Sequence, residues 1–504
     1  MRHNANDTVT MKQGVITRRG LLQGMGAATL AGALGVMTTG TAFAADEKAE
    51  TLAAGAAGGS YAEGALDLGW SGTPQAILDL GMSTMPLAEL NRRRRAYVDD
   101  QTDYTCEDGT VIPAAFVKVR SLVHSYGMGC GNTPLDTSFE RIMEYFTEEQ
   151  AEQYINLPYG EQFTATDAAA ELGTTIEEAQ ELCDYFASVG FLCSWTAPQG
   201  KVYHHVPFFQ GTVEYAFTDA IEHPGYNTSI SGADMLGNGV YSDMRDTGTP
   251  TFYACPCDAS VMADGEVIPP HDDLVAKIKT YDKVAIAPCY CRYTALVKAG
   301  EDAPTFEEFA TGEFEEFFSP LCDQRVETCL MLGGEAEYWV NQGWARYITG
   351  EQGAEYLKRS CEDGFILESC FSKESETICS CHEKSCGIIA EWYSLGGAEE
   401  IGESKAFEQI SHNLLEVDFD ACIKCGTCAT RCPVSAITMD GEDGAPQVNA
   451  KCFRCGQCAY VCPQSARKLR ARPVEENAEL NTNMIDDANR KAAYRFEMGL
   501  IASV

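Results

Sequence analysis

Basic side chains are scarce in this chain. Lys and Arg number 37 against 74 Asp and Glu, a formal net charge of −37 over 504 residues. Such a surface repels nucleic acids and anionic membranes, which are polyanions. It is either a solubility surface or a docking surface for a basic redox partner. Histidine is scarce too: there are eight, with no metal-ligand spacing. His204-His205 follow a strand-like run and are expected to be exposed or hydrogen-bonded. No glycine cluster, Gly55-Ala56-Ala57-Gly58-Gly59 included, stands in the strand–turn–helix setting of a nucleotide-binding fingerprint. No Ser/His/Asp triad signal is legible. Cys-x-x-Cys-His does not occur, which argues against covalently attached haem. Beyond the N-terminus no stretch is apolar enough to span a membrane, which takes ~20 residues.

What the chain has in excess is cysteine, with 23. Apolar residues make up 45%, so packed cores are expected. The length suits two to four domains on a prior of ~100–200 residues each.

Thr17-Arg18-Arg19-Gly20-Leu21-Leu22 is a twin-arginine pattern. A weakly apolar run to Met37 and the small-x-small site Ala42-Phe43-Ala44 follow. The segment 1–44 reads as a twin-arginine signal peptide with a net charge of +3, so its removal would take the chain from −37 to −40. No transmembrane span would remain. That signal family carries folded proteins, so metal centres could be assembled in a reducing cytoplasm before export. Free thiols exported unfolded would be expected to pair. The expected location is periplasmic or otherwise extracytoplasmic.

The expected fold class is α+β and multidomain. Residues 45–160 read as a helical N-terminal region, with Cys106 and Cys130 in loops. The basic run Arg92–Arg95 reads as a solvated helix face. Residues 161–215 read as a winged-helix-like module: a helix over 166–172, a turn at Gly173, a helix over 176–189 and a hairpin of 191–195 with 201–206. Its second helix carries Glu177, Glu178, Glu181 and Asp184 without Lys or Arg, which excludes DNA recognition. Packing is the expected role. Residues 216–412 form a cysteine-rich domain, 413–475 a cluster-binding domain and 476–504 a C-terminal tail. A capping box at Thr349 and Gln352 heads a helix with Ala354, Leu357 and Cys361 on its inner face, so Cys361 reads as core.

Two cysteine runs carry the strongest signal. Cys422, Cys425, Cys428 and Cys432 precede Pro433; Cys452, Cys455, Cys458 and Cys462 precede Pro463. Each is C-x2-C-x2-C-x3-C-P, a spacing that is the standard example for bacterial two-cluster ferredoxins. Over about 416–470 the chain resembles that family. The resemblance implies two [4Fe-4S] clusters. One would take Cys422, Cys425, Cys428 and Cys462, the other Cys452, Cys455, Cys458 and Cys432. Gly426 and Gly456 sit inside the turns, and 436–439 with 446–449 read as the hairpin between the motifs.

The middle region holds three Cys-x-Cys pairs: Cys255-Pro256-Cys257, Cys289-Tyr290-Cys291 and Cys379-Ser380-Cys381. Thiols that close make strained disulfides with each other but suit neighbouring metal corners. Cys289, Cys291, Cys322 and Cys329 are the preferred set for a further iron–sulfur cluster. Cys379, Cys381 and Cys386 are candidate ligands of another site. A mixture of disulfides and core thiols is the alternative. The whole layout is similar to little-characterised 4Fe-4S binding proteins of anaerobes. This chain departs from them in its short ICSCHEKSC stretch and in the acidic insertion 301–318.

The expected function is extracytoplasmic electron transfer as a subunit or partner of an anaerobic reductase, with a reductase or electron donor as redox partner. The alternative is an oxidoreductase with its own catalytic cluster in the middle domain. No catalytic residue and no oligomeric state is legible.

Overall fold

The computed structural model describes residues 83–501, except 107, 128, 130–141, 208–210, 212–248, 387–388 and 390–409. The segment read as a signal peptide and Cys130 lie outside the described residues. No described helix is long and apolar enough to cross a membrane.

The N-terminal part contains α1 (Leu87–Asp99), the short pair β1 (Tyr104–Thr105) and β2 (Val111–Ile112), α2 (Ala114–His124) and α3 (Glu148–Ile155). The arginine run is not all solvated. Arg92 and Arg93 pair with Glu89 at the surface. Arg94, one residue further round the helix, is buried, with its guanidinium 4.6 Å from the Tyr159 ring centroid and bonded to the Ser125 carbonyl.

Next come β3 (Phe163–Thr164), α4 (Ala165–Leu172), α5 (Ile176–Ser188), β4 (Leu192–Ala197) and β5 (Gly200–His205). Thr164 and Thr175 close capping boxes, and Gly173 ends α4 in a left-handed turn. This is the helix–turn–helix–hairpin order read from the sequence. His204 is buried and hydrogen-bonded through Nδ1 to the His205 carbonyl, as expected, but His205 departs from expectation: it is buried, and neither of its ring nitrogens has a hydrogen-bond partner. His205 packs among Tyr154, Tyr159 and Phe163 and is held neutral by burial.

A six-stranded antiparallel sheet forms the middle. Its elements in chain order are β6 (Phe252–Cys255), α6 (Leu274–Lys277), β7 (Val284–Pro288), α7 (Tyr290–Ala299), α8 (Phe306–Thr311), the pair β8 (Phe318–Ser319) and β9 (Gln324–Arg325), and β10 (Glu327–Leu332). α9 (Gly333–Asn341), β11 (Arg346–Ile348), α10 (Gly350–Asp363), β12 (Ile366–Cys370) and β13 (Thr377–Cys381) complete it. The strand order is β11-β7-β10-β13-β12-β6. Pro288 faces Glu327, and Cys381 faces Ile366. The ends of β7 and β13 therefore lie beside the starts of β10 and β12. β7 and β10 are buried along their whole length.

The β4–β5 hairpin is packed against α9. Tyr338 Oη donates to the Ala187 carbonyl, and Glu337 accepts from Thr196. Gly334 allows this approach, since a Cβ there would sit 2.3 Å from the Trp195 ring. Gly334→Ala is expected to cost about 1–3 kcal/mol by overpacking, measured as a shift in the urea midpoint.

Two buried carboxyls tie this region to pH. Burial pushes Glu335 up to about 7 and Glu376 up to about 8, well above the usual carboxylate range. The folded chain thus binds more protons than the unfolded one. The stability from this source is fully present below about pH 4.5 and is lost as pH rises through 7 to 8. Urea midpoints should fall from pH 5 to 8.5, and Glu376→Gln should flatten the decline. An equal slope in the variant would contradict this.

The C-terminal module has β14 (Asn413–Val417) paired with β17 (Arg467–Ala471) and β15 (Ile437–Thr438) paired with β16 (Gln447–Val448). The short helices α11 (Thr427–Arg431) and α12 (Gln457–Tyr460) lie between. The module docks on the middle sheet: Gln457 Nε2 donates to the carbonyls of Cys361 and Phe365, and Cys257 N donates to the Cys455 carbonyl. Cys361 is buried on α10, as expected. The tail contains α13 (Met484–Glu497), which returns to α1, with the Phe496 ring edge-on to Tyr97.

Candidate metal centres

The two cysteine runs fold as a local repeat. Left-handed backbone recurs thirty residues apart at Lys424 and Arg454, Gly426 and Gly456, and Ser435 and Ser465. Positive φ is uncommon outside glycine, so the same coil has been imposed twice. It turns backbone N–H groups onto sulfur: Ala436 N lies 3.2 Å from Cys432 Sγ, and Arg454 N lies 3.4 Å from Cys452 Sγ.

The coil also sorts the thiols. A cavity is lined by Cys422, Cys425, Cys428 and Cys462. The last of these comes from the other run. Cys455 has Cys458, Cys432 and Cys452 as neighbours, and here Cys432 is the one that crosses over. Cys425 is exposed, and the hydroxyl and N–H of Thr427 pull its thiol below the usual value. Cys455 and Cys458 are buried, and burial pushes the Cys458 thiol up to about 12.

Arg467 bears on whether an anionic cluster fits. It is 2% exposed, and neither terminal nitrogen has an oxygen or nitrogen partner. It lines the first cavity and lies within hydrogen-bonding reach of the Cys458 thiol. A buried cation without a carboxylate calls for an anion beside it. Thiolate-bound iron–sulfur clusters supply one, so the residues fit the group.

The middle cysteines meet in one place, although the sequence suggested two sets. Thiol contacts run from Cys289 to Cys291, on to Cys386, Cys381 and Cys379, and end at Cys329. The strand order explains the meeting. Cys289 follows β7, Cys329 lies in the first half of β10 and Cys379 and Cys381 lie in the last half of β13, all toward one end of these three neighbouring strands. Arg292 lies among them, 1% exposed. Its nitrogens donate to Thr328, Ser385 and the Ser380 carbonyl, and Cys289, Cys381, Cys322 and Cys291 oppose the effect of burial on it. Glu368 touches Cys381, and its Oε2 is buried without a partner. All 22 described cysteines are free of disulfides. Cys255 stands apart, buried in the sheet, and Cys257 contacts Cys361.

Arg467, Arg292 and Glu368 were not singled out as site residues in the sequence. Arg292 directly follows Cys291, and that adjacency was the one signal on offer.

Residues 410–467 match the family model of the 4Fe-4S dicluster domain. This supports iron–sulfur binding and a ferredoxin-like domain at the C-terminus, within a chain of helices and sheets of α+β character. No curated protein matches the chain, and no solved structure matches it.

Proposed function

We propose that this protein is an extracytoplasmic electron carrier with two [4Fe-4S] clusters that serves an anaerobic reductase as subunit or partner. One observation carries the reading: each group of three neighbouring thiols receives its fourth from the other run. When bound, each cluster takes up and gives back one electron. The chain's own residues set direction. Cys425 is exposed, with Phe419 and Ile423 also exposed near it. The exposed Asp418, Asp420, Asp440, Glu442 and Asp443 are close in sequence. This is the face offered to an acid-seeking, basic redox partner. Cys455 and Cys458 face inward. The twin-arginine pattern supports export of the folded chain.

The test is iron and sulfide analysis of anaerobically purified protein, with about eight irons expected in the ferredoxin module. Cys425→Ser with Cys428→Ser should remove about four of them. A loss of none would sink the assignment.

A second reading, an oxidoreductase with its own cluster in the middle region, is favoured by the thiols gathered around Arg292. Reoxidation of the reduced protein by a substrate, without a partner, would select it.

A further inference from the structure

The seven thiols Cys289, Cys291, Cys322, Cys329, Cys379, Cys381 and Cys386 come from separate segments but gather beside the buried Arg292; three of them are buried and four half-buried. One ion cannot use them all, because a zinc site closes at four donors. Among the described residues no three His, Cys, Asp or Glu converge as ligands of a single ion. Six of the thiols are strung in a line of contacts instead, which suits several metal atoms side by side. The surroundings repeat the signature of the ferredoxin module. Arg292, like Arg467, is a buried guanidinium among thiols, and its hydrogen bonds go to hydroxyls, an amide and a carbonyl rather than to a carboxylate. Glu368 adds a buried oxygen without a partner at Cys381.

The position is equally specific. Cys381 and Cys386 pack in one cluster with Cys455, Phe453 and Val434, and Cys379, Cys432 and Cys452 lie at its edge. The loop between Cys381 and Cys386 is bonded to the ferredoxin run, with Glu383 N donating to the Pro433 carbonyl at 3.0 Å.

We infer that these seven thiols hold one polynuclear iron–sulfur centre, placed to exchange electrons with the inward cluster of the ferredoxin module. The electron link rests on the proposed two-cluster reading; the iron site itself does not. One electron leaves the inward cluster as one enters the centre, or the reverse, and no bond to the protein changes.

The experiment is iron, sulfide and zinc analysis with Mössbauer spectroscopy on the anaerobic full-length chain. Wild type is compared with Cys381→Ser/Cys386→Ser and, separately, Cys425→Ser/Cys428→Ser. The expected result is a loss of about four irons or more in the first variant, with the ferredoxin signals retained. That difference is read independently of the ferredoxin load, which the second variant reports. Should the first variant fail to fold, wild-type iron well above about eight per chain carries the same conclusion. Zinc in place of the lost iron would overturn the inference. So would an unchanged iron count in the folded variant, wild-type iron at or below eight when that variant does not fold, or disulfides among these seven cysteines.

Discussion

Arg495→Met should destabilise the whole chain by about 3–5 kcal/mol. Arg495 is fully buried on α13, and its guanidinium donates to the carbonyls of His124 and Gly127 and approaches His124 Nε2. Methionine fills much of the volume but leaves those buried acceptors dry. A domain has only about 5–15 kcal/mol in hand, so the loss would be a large fraction of the total. Removing residues 481–504 should go further. It removes the buried face formed by Met484, Ala488, Ala492, Ala493 and Phe496 and uncovers the part of α1 that they pack against. Urea unfolding checks the point mutant and soluble yield checks the truncation. Native-state hydrogen exchange should show α2 losing protection in Arg495→Met. A midpoint within error of wild type would mean that α13 is held by its apolar face alone.

This docking was not legible from the sequence. Residues 476–504 read only as a C-terminal tail, and a partner nearly four hundred residues earlier leaves no periodic trace. The same limit applied to the middle cysteines. Their spacing suggested ligands in two sets, because Cys329 and Cys379 are fifty residues apart. Only the strand order β7-β10-β13 brings them to one end of neighbouring strands. Local features were read well. The capping box at Thr349, the turn at Gly173 and the hairpin of 436–439 with 446–449 act within a few residues of themselves. The doubled C-x2-C-x2-C-x3-C-P was legible for the same reason, and the resemblance it carries implies the exchange of fourth cysteines on which the proposed function rests. Arg94 and His205 were misread because composition suggests water around a cation or an imidazole. A ring of tyrosines makes burial tolerable for both.

Arg467→Met should lower the reduction potentials of the ferredoxin module by about 60–120 mV, a tenfold to hundredfold change for a one-electron couple. The sign follows from charge. Reduction adds an electron to a site already rich in thiolate, and a cation beside it stabilises the added charge. Arg467 is buried against the Cys458 thiol and lines the cavity of Cys422, Cys425, Cys428 and Cys462, so it addresses both sites. A unit charge at such range is worth about 3 kcal/mol at an effective dielectric near 20, and partial screening brings that down to the range given. Lysine should retain most of the effect and methionine none. The readout is a redox titration followed by EPR, since a purely structural arginine would alter the unfolding midpoint and leave the potentials alone. Potentials within about 20 mV of wild type, a change of little more than twofold, would assign Arg467 to packing. In that case the charge that offsets the buried thiolates would have to come from the backbone N–H groups of Ala436 and Arg454.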